Sequence, residues 1–324
     1  MTRVVRAAGA LLAVGGLLAG CGLTSGSPRV DAVQPVKVGH GKPRDGATLT
    51  VTSKQFSEQL VLGLIAGLAL KAAGAQVVDR TGIQGSIGAR EAVKSGEASL
   101  MYEYTGTGWI TYLGHTKPIP DPHKQWVAVR DGDRKNGITW LPPSTLNNTY
   151  SLGVNQATYR KYHVDTLSQM AKVVKRDPAA GTFCVGAEFA ARNDGFPGMT
   201  AAYGLQVPAS RIKKMDDGII YTQVAKGRSC TFGQVYTTDG RIRALKLHVL
   251  KDDRHFFPVY NAAPVVNSKV LKEHPQIAQV LAPITKKLDT ATARRLNGQV
   301  DVQGRPPRDV ARDWLVKEGF IKAG

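Results

Sequence analysis

The chain has 324 residues, 42% of them hydrophobic and 21% charged, which is long enough for two domains and typical of a globular protein. Its formal net charge is +18 at pH 7, so nucleic acid, an anionic envelope and acidic ligands are the partners to consider. The basic residues lie in short groups, without a long block and without the interleaved aromatic residues that stack on bases. This pattern argues against nucleic acid and favours a solvated basic face near an anionic envelope.

Residues 1–20 have the three parts of an export signal. Arg3 and Arg6 give a basic start, an apolar stretch follows, and small residues lead into Cys21. Residues 18–21, Leu-Ala-Gly-Cys, resemble the bacterial lipobox, in which the cysteine thiol receives diacylglycerol. A plain secretory signal or a buried helix is the alternative, since the apolar stretch is shorter than the roughly 20 residues that cross a bilayer. We predict a lipid on Cys21 that holds the protein at the outer face of the bacterial cell membrane.

Residues 21–46 are rich in glycine, proline and serine, and this composition predicts a flexible, lipid-anchored tether. Two cysteines follow it, Cys184 and Cys230. Because a disulfide persists outside the cytoplasm, we predict that these two cysteines pair. The alternative is two separately buried thiols, since free cysteine packs as a small hydrophobic residue.

Short strand-like and helix-like segments alternate from residue 47 onward. The first group comprises a strand at 49–52, a helix from Ser57 to Ala73 before Gly74, a strand at 76–78, a helix at 89–94 and a strand at 99–102. The second group comprises strands at 151–154 and 182–185, helices at 167–174, from Pro197 and at 219–225, and strands at 230–235 and 245–250. A mostly helical tail begins at Pro275. Such alternation predicts two α/β lobes.

Five segments of the chain resemble a known family. They are Thr-Ser-Lys-Gln-Phe-Ser-Glu-Gln (52–59), Tyr-Glu-Tyr-Thr-Gly-Thr-Gly (102–108), Arg-Asn-Asp-Gly-Phe-Pro-Gly (192–198), Tyr-Thr-Thr-Asp-Gly-Arg (236–241) and Asp-Asp-Arg-His-Phe-Phe-Pro (252–258). Together they resemble, in order, the substrate-binding proteins of glycine betaine, choline and carnitine ABC importers. The resemblance covers residues 49–314, nearly the whole mature chain.

The resemblance implies a type II periplasmic-binding-protein fold, with a hinge and a ligand cleft between two α/β lobes. Lobe 1 is expected at 47–148 plus 259–324, and lobe 2 at 149–258. Hinge closure around a ligand is how such proteins convert occupancy into a shape that a transporter recognises. The implied partners are a small quaternary-ammonium ligand and the permease subunits of an ABC importer. No cofactor is expected, because ATP would be used by a separate subunit.

A trimethylammonium group has no N–H to donate, and its charge is spread over its methyl groups. Aromatic faces recognise it best, because the ring quadrupole attracts the cation while the rings exclude water. Members of the family build such a box from four tyrosines. The motif match places them at Tyr104, Tyr150, Tyr236 and Tyr260, although ordinary core or surface tyrosines remain the alternative.

A zwitterionic ligand also needs donors for its carboxylate. The resemblance suggests Lys54, Thr107 and Arg192, and arginine suits a carboxylate because it donates two parallel hydrogen bonds. If Lys54 and Arg192 bind the ligand, the ligand is expected to be a betaine. If these basic residues do not contact the ligand, a cation such as choline is favoured. Glu103 is expected to point away from Tyr104 and is given no role.

An enzyme and an envelope interaction protein are the other classes of function to consider, beside a different ligand on the same fold. The sequence contains no Gly-x-Ser-x-Gly turn, His-Glu-x-x-His pair or phosphate-binding loop, so we expect neither an enzyme nor a metal site. The same fold could bind choline, carnitine or ergothioneine instead of glycine betaine. An envelope interaction protein without a small-molecule ligand is the last alternative. We expect a monomer.

Overall fold

Two five-stranded sheets, each flanked by helices, form the framework. The computed structural model describes residues 33–35 and 47–323, so the predicted signal peptide and Cys21 lie outside the described residues. In chain order the strands and helices are β1 (Val33–Pro35), β2 (Thr48–Lys54), α1 (Ser57–Ala72), β3 (Gln76–Ile83), α2 (Gly85–Ser95), β4 (Leu100–Tyr104), α3 (Thr105–Thr107), α4 (Pro122–Asp133), β5 (Ile138–Trp140), β6 (Tyr150–Val154), α5 (Gln156–Tyr162), α6 (Leu167–Arg176), β7 (Phe183–Val185), α7 (Phe196–Ala202), β8 (Ile212–Lys214), α8 (Asp217–Lys226), β9 (Phe232–Tyr236), α9 (Arg241–Ala244), β10 (His248–Val249), β11 (Ala262–Asn267), α10 (Ser268–Glu273), α11 (Gln276–Lys287), α12 (Thr290–Asp301), α13 (Pro307–Lys317) and β12 (Ile321–Ala323). A π-helical turn at Gly108–Tyr112 follows α3.

The strand order of each sheet shows how the chain divides. The first sheet has the order β3-β2-β4-β11-β5, with β2 parallel to β3 and β4 and with β11 antiparallel to β4 and β5. The second sheet has the order β10-β6-β9-β7-β8, with β7 parallel to β8 and β9. The chain therefore leaves the first sheet after β5, builds the second from β6 to β10, and returns at β11. This is the two-lobed α/β fold that the alternating pattern predicted.

The two segments that cross between the lobes are bonded to each other. Asn147 and Asn261 form an isolated antiparallel bridge. The backbone N–H of Asn148 donates to the carbonyl of Tyr260 at 3.1 Å, and the Tyr260 N–H donates to Oδ1 of Asn147 at 2.8 Å. We call this pair of crossing segments, residues 146–149 and 259–262, the hinge ribbon.

Helix α1 is the central helix of the first lobe. Nearly every residue from Glu58 to Ala72 is buried, and the helix packs on β2 and β3 on one side and on α12 and α13 on the other. A helix that is apolar around most of its circumference is stable only when it is surrounded in this way. None of the helices within residues 33–35 and 47–323 is long and apolar enough to span a bilayer.

A disulfide ties two neighbouring segments of the second lobe. Cys184 on β7 and Cys230, just before β9, are joined with an S–S distance of 2.01 Å. Both residues are buried. The loop that follows β7 contributes Ala187 and Glu188 to the cleft described below.

Three sequence-based expectations differ from the structure. Helix α7 begins at Phe196, so Pro197 is not its first residue. Only His248–Val249 of the predicted strand at 245–250 pairs, because Lys246, with φ of 52°, turns the chain after α9. Residues 33–35, inside the predicted tether, pair antiparallel with β12.

Candidate functional site

A cavity of about 510 Å³ lies between the two lobes. It forms where strands β2, β4, β8 and β9 end, and in α/β sheets the crevice outside the carboxyl ends of the strands is the usual binding position. Its wall consists of Lys54, Gln55, Phe56, Gln84, Gly85, Ser86, Tyr104, Thr107, Asn148, Tyr150, Ala187, Glu188, Lys214, Met215, Asp216, Asp217, Tyr236 and Tyr260.

All four predicted tyrosines line this cavity. Tyr150 begins β6 directly opposite Tyr236 at the end of β9, and their ring centroids are 5.2 Å apart. Tyr260, on the hinge ribbon, meets Tyr150 edge-on, also with 5.2 Å between centroids. Tyr104 ends β4 on the first lobe. The rings therefore come from both lobes and from the segment that joins them.

Phe56 is a fifth ring of the cavity wall that the sequence analysis did not single out. Its ring stacks on Tyr236 with 5.2 Å between centroids and an interplanar angle of 8°. It also stacks on Tyr104, with 6.4 Å between centroids and an interplanar angle of 17°. Phe56 thus links a first-lobe tyrosine to a second-lobe tyrosine. The sequence feature that could have identified Phe56 is its position in the segment 52–59, which resembles the family.

Three of the tyrosine hydroxyls donate to carboxylates. Burial raises the pKa of these hydroxyls well above the ordinary value, so they remain protonated donors. A hydrogen bond to a carboxylate fixes the ring's orientation and increases its electron density, and both effects favour cation binding on its face. The bonds run from Tyr104 to Glu58 (2.7 Å), from Tyr236 to Asp217 (2.9 Å) and from Tyr260 to Asp194 (2.6 Å).

Lys54 and Thr107, two of the predicted carboxylate donors, also line the cavity. The Lys54 ammonium donates to Glu103 Oε1 at 2.6 Å and lies 4.8 Å from the centroid of the Tyr104 ring. Glu103, which was given no role, also accepts from the backbone N–H of Tyr104 at 2.7 Å. It is nevertheless the ion-pair partner of Lys54, a role that the sequence analysis missed.

Arg192 lies behind the cavity wall. Its Nε and Nη2 donate to the two carboxylate oxygens of Asp194 at 2.7 and 2.5 Å, and its Nη1 donates to Glu188 at 2.7 Å. A longer contact of 3.4 Å reaches the hydroxyl of Thr107, and the guanidinium lies 5.6 Å from the Tyr150 ring centroid. The structure therefore brings six of the seven predicted ligand-binding residues to the cavity wall and places Arg192 behind them.

Residues 47–317 match the family model described as the substrate binding domain of the ABC-type glycine betaine transport system. The chain belongs to this family. It is similar to a glycine-betaine-binding protein of Pseudomonas aeruginosa, with 38% identity over 282 residues that cover 86% of the chain and 90% of the relative. It is also similar to the glycine betaine-binding protein YehZ of Escherichia coli, with 30% identity over 301 residues, covering 90% and 93%.

A solved structure shows the same arrangement of lobes. A crystal structure described as that of a glycine betaine/carnitine/choline ABC transporter matches over 84% of this chain and 99% of that chain, with a TM-score of 0.68 and 28% identity. The protein is thus a substrate-binding protein of glycine betaine-type ABC transport, and its relatives in this family are solute-binding proteins. The family is extracytoplasmic, binds quaternary-ammonium ligands and works with ABC permeases. Across residues 33–35 and 47–323, no group of three or more acidic, histidine or cysteine side chains could hold a metal ion.

Proposed function

We propose that the protein is an extracytoplasmic receptor that captures a quaternary-ammonium osmoprotectant, with glycine betaine as the first candidate, and delivers it to the permease of an ABC importer. The observation that carries the proposal is the group of five rings, Phe56, Tyr104, Tyr150, Tyr236 and Tyr260, on one cavity between two lobes. A desolvated cation–π contact contributes about 2 kcal/mol, so several rings can hold a trimethylammonium group without a full counter-charge. No catalytic role and no cofactor form part of the proposal.

The lobes are proposed to be residues 47–148 plus 259–324 and residues 149–258, closing over the ligand about the hinge ribbon. Support comes from Phe56 on the first lobe stacking on Tyr236 of the second, which joins the two halves of the ring group across the cleft. Choline, carnitine and ergothioneine are the alternative ligands, because each also carries a methylated ammonium group. An envelope interaction protein without a small-molecule ligand has no need of a ring-lined cavity.

Titration of the soluble protein tests this proposal. We would produce the chain from Gly22 onward, remove carried-over ligand, and titrate it calorimetrically with glycine betaine, proline betaine, carnitine, choline and ergothioneine. We expect saturable binding of at least one compound with one site per chain, and light scattering should give the mass of a monomer. If none of the five compounds binds, the quaternary-ammonium assignment is wrong.

The membrane anchor is a separate part of the proposal. It is supported by the Leu-Ala-Gly-Cys sequence that ends at Cys21, which lies outside the described residues. In a bacterial host we expect the full-length protein in the membrane fraction, and its mass should include a diacylglycerol group on Cys21. The Cys21→Ala variant should lack the lipid. A wild-type protein whose mass includes no lipid would contradict the anchor.

A further inference from the structure

The carboxylate of Glu188 lies across the cleft against the first lobe. Glu188 follows β7 in the second lobe, while Ser86 is near the start of α2 in the first. Glu188 Oε2 accepts from the backbone N–H of Ser86 at 3.0 Å, and Oε1 accepts from the Ser86 hydroxyl at 2.6 Å. Oε1 also accepts from Arg192 Nη1 at 2.7 Å. One carboxylate is therefore held by three donors that come from both lobes.

These donors are suited to a carboxylate for general physical reasons. The N-terminus of a helix has unpaired backbone N–H groups and a partial positive charge, so it favours an anion. The Lys54 ammonium adds a charge beside them, because it donates to the same Ser86 hydroxyl at 3.3 Å. Burial raises the pKa of Glu188, but Lys54 and Arg192 outweigh this effect and hold its pKa at about 2. Glu188 is thus an anion at any physiological pH.

Glu188 also belongs to the ligand cavity. It lines the same wall as Tyr104 and Tyr236, and its side chain retains 35% of its exposure. Lys54 and Arg192, which the sequence analysis assigned to a ligand carboxylate, therefore already act on a carboxylate of the protein. We call the part of the cavity formed by Ser86, Lys54 and Arg192 the anion-binding corner. A ligand carboxylate that enters it must compete with Glu188 for the same donors.

We infer that Glu188 is a specificity-determining residue whose carboxylate competes with the carboxylate of a zwitterionic ligand for Ser86 and Arg192. The inference rests on the proposed function, because it assumes that the ring group holds the ammonium end of the ligand. The negative charge of Glu188 also attracts a ligand that is purely cationic. Glu188 thereby lowers the affinity for a betaine relative to an alcohol with the same ammonium group.

A simpler role for Glu188 is to hold the lobes together. A residue that only joins the lobes would affect all ligands alike, because every ligand binds between the same two lobes. A competitor for the anion-binding corner changes the relative affinity of two ligands that differ only at the anionic end. Glycine betaine and choline are such a pair, since both carry trimethylammonium and one has a carboxylate where the other has a hydroxymethyl group.

The test is the ratio of the dissociation constants of choline and glycine betaine, measured calorimetrically for the wild type and for Glu188→Gln. Glutamine can still accept a hydrogen bond from Ser86, but it lacks the negative charge that interacts with Arg192 and Lys54. A charge-assisted hydrogen bond contributes enough to change an equilibrium tenfold or more. We therefore expect the ratio to shift toward glycine betaine by about tenfold, and Glu188→Ala should shift it in the same direction.

Asp216→Asn is the matched control. It removes the same charge from the cavity wall, but Asp216 accepts from the Gly218 N–H at 2.9 Å within its own loop and caps α8, where asparagine serves equally well. In Asp216→Asn the ratio of the two dissociation constants should change by less than about threefold, because the effect of a charge near solvent is screened. Circular dichroism and thermal melting would verify that each variant is folded.

Each outcome decides the inference. A shift toward glycine betaine in both Glu188 variants, and a smaller one in Asp216→Asn, supports it. If both ligands bind the wild type and the ratio is unchanged in the Glu188 variants, the inference is wrong while the proposed function stands. An equal shift in Asp216→Asn also overturns it, since charge alone would then be responsible. If neither ligand binds the wild type but another of the five compounds does, the inference is wrong while the proposed function stands. If none of the five binds, both are wrong.

Discussion

Replacing Tyr236 with alanine is expected to weaken binding of a trimethylammonium ligand by about thirtyfold, which corresponds to the loss of about 2 kcal/mol. Tyr236 contributes a ring face to the cavity and is also the stacking partner of Phe56, at 5.2 Å between centroids. Its removal therefore deprives the cation of one ring and leaves a second ring without its neighbour across the cleft. Calorimetric titration of Tyr236→Ala beside the wild type measures the effect.

Tyr236→Phe is the matched control for this variant. It keeps the ring and its stacking but removes the hydroxyl that donates to Asp217 at 2.9 Å. We expect its affinity to lie within about fivefold of the wild type, because a single hydrogen bond contributes roughly 1 kcal/mol. Binding by Tyr236→Ala that matches the wild type would place the ammonium group elsewhere. An equal loss in both variants would assign the effect to the hydroxyl rather than to the ring.

Breaking the bond between Cys184 and Cys230 is expected to lower the free energy of unfolding by about 4 kcal/mol. The two cysteines are separated by 46 residues in the chain, and a cross-link of this span removes much of the conformational entropy of the unfolded state. For a protein of this size the change corresponds to a fall in melting temperature of roughly 6 °C. Thermal melting with and without reductant measures it.

The soluble protein from Gly22 onward suits this measurement because it contains only these two cysteines. A Cys184→Ala/Cys230→Ala variant should melt at the lower temperature in both conditions and should not respond to reductant. If reductant leaves the wild-type melting temperature unchanged while mass spectrometry shows the bond to be open, the disulfide has no stabilising role. Both cysteine side chains are buried, so part of the variant's loss will come from packing.

The convergence of four tyrosines on one cavity could be predicted from the family resemblance. Tyr104 and Tyr236 lie within segments that resemble the family, Tyr260 follows shortly after the segment 252–258, and Tyr150 was placed by the same motif match. The strands and helices could be predicted where their apolar pattern is regular, as in α1. Strand β11 could not be predicted in this way, because Pro264 interrupts it and a proline cannot donate to a sheet ladder. In the structure β11 nevertheless lies between β4 and β5.

The hydrogen bonds and ion pairs of the site could not be predicted from the sequence, for a different reason. Ser86 and Glu188 are 102 residues apart in the chain and meet only because the two lobes face each other. Neither has a periodic pattern that would mark it, and Glu188 lies in a loop. Lys54 and Arg192 were singled out from the sequence, and the structure places Lys54 on the cavity wall and Arg192 behind it. Which carboxylates they contact depends on side-chain directions that a one-dimensional pattern does not contain.

The hinge ribbon has a mechanical consequence for the cavity. Tyr260 belongs to the ribbon, and Tyr150 follows directly after it, so both rings sit close to the axis about which the lobes would turn. Points near a pivot travel little when two bodies turn about it. Under the proposed closure, Tyr150 and Tyr260 form a nearly stationary platform that a ligand can meet first.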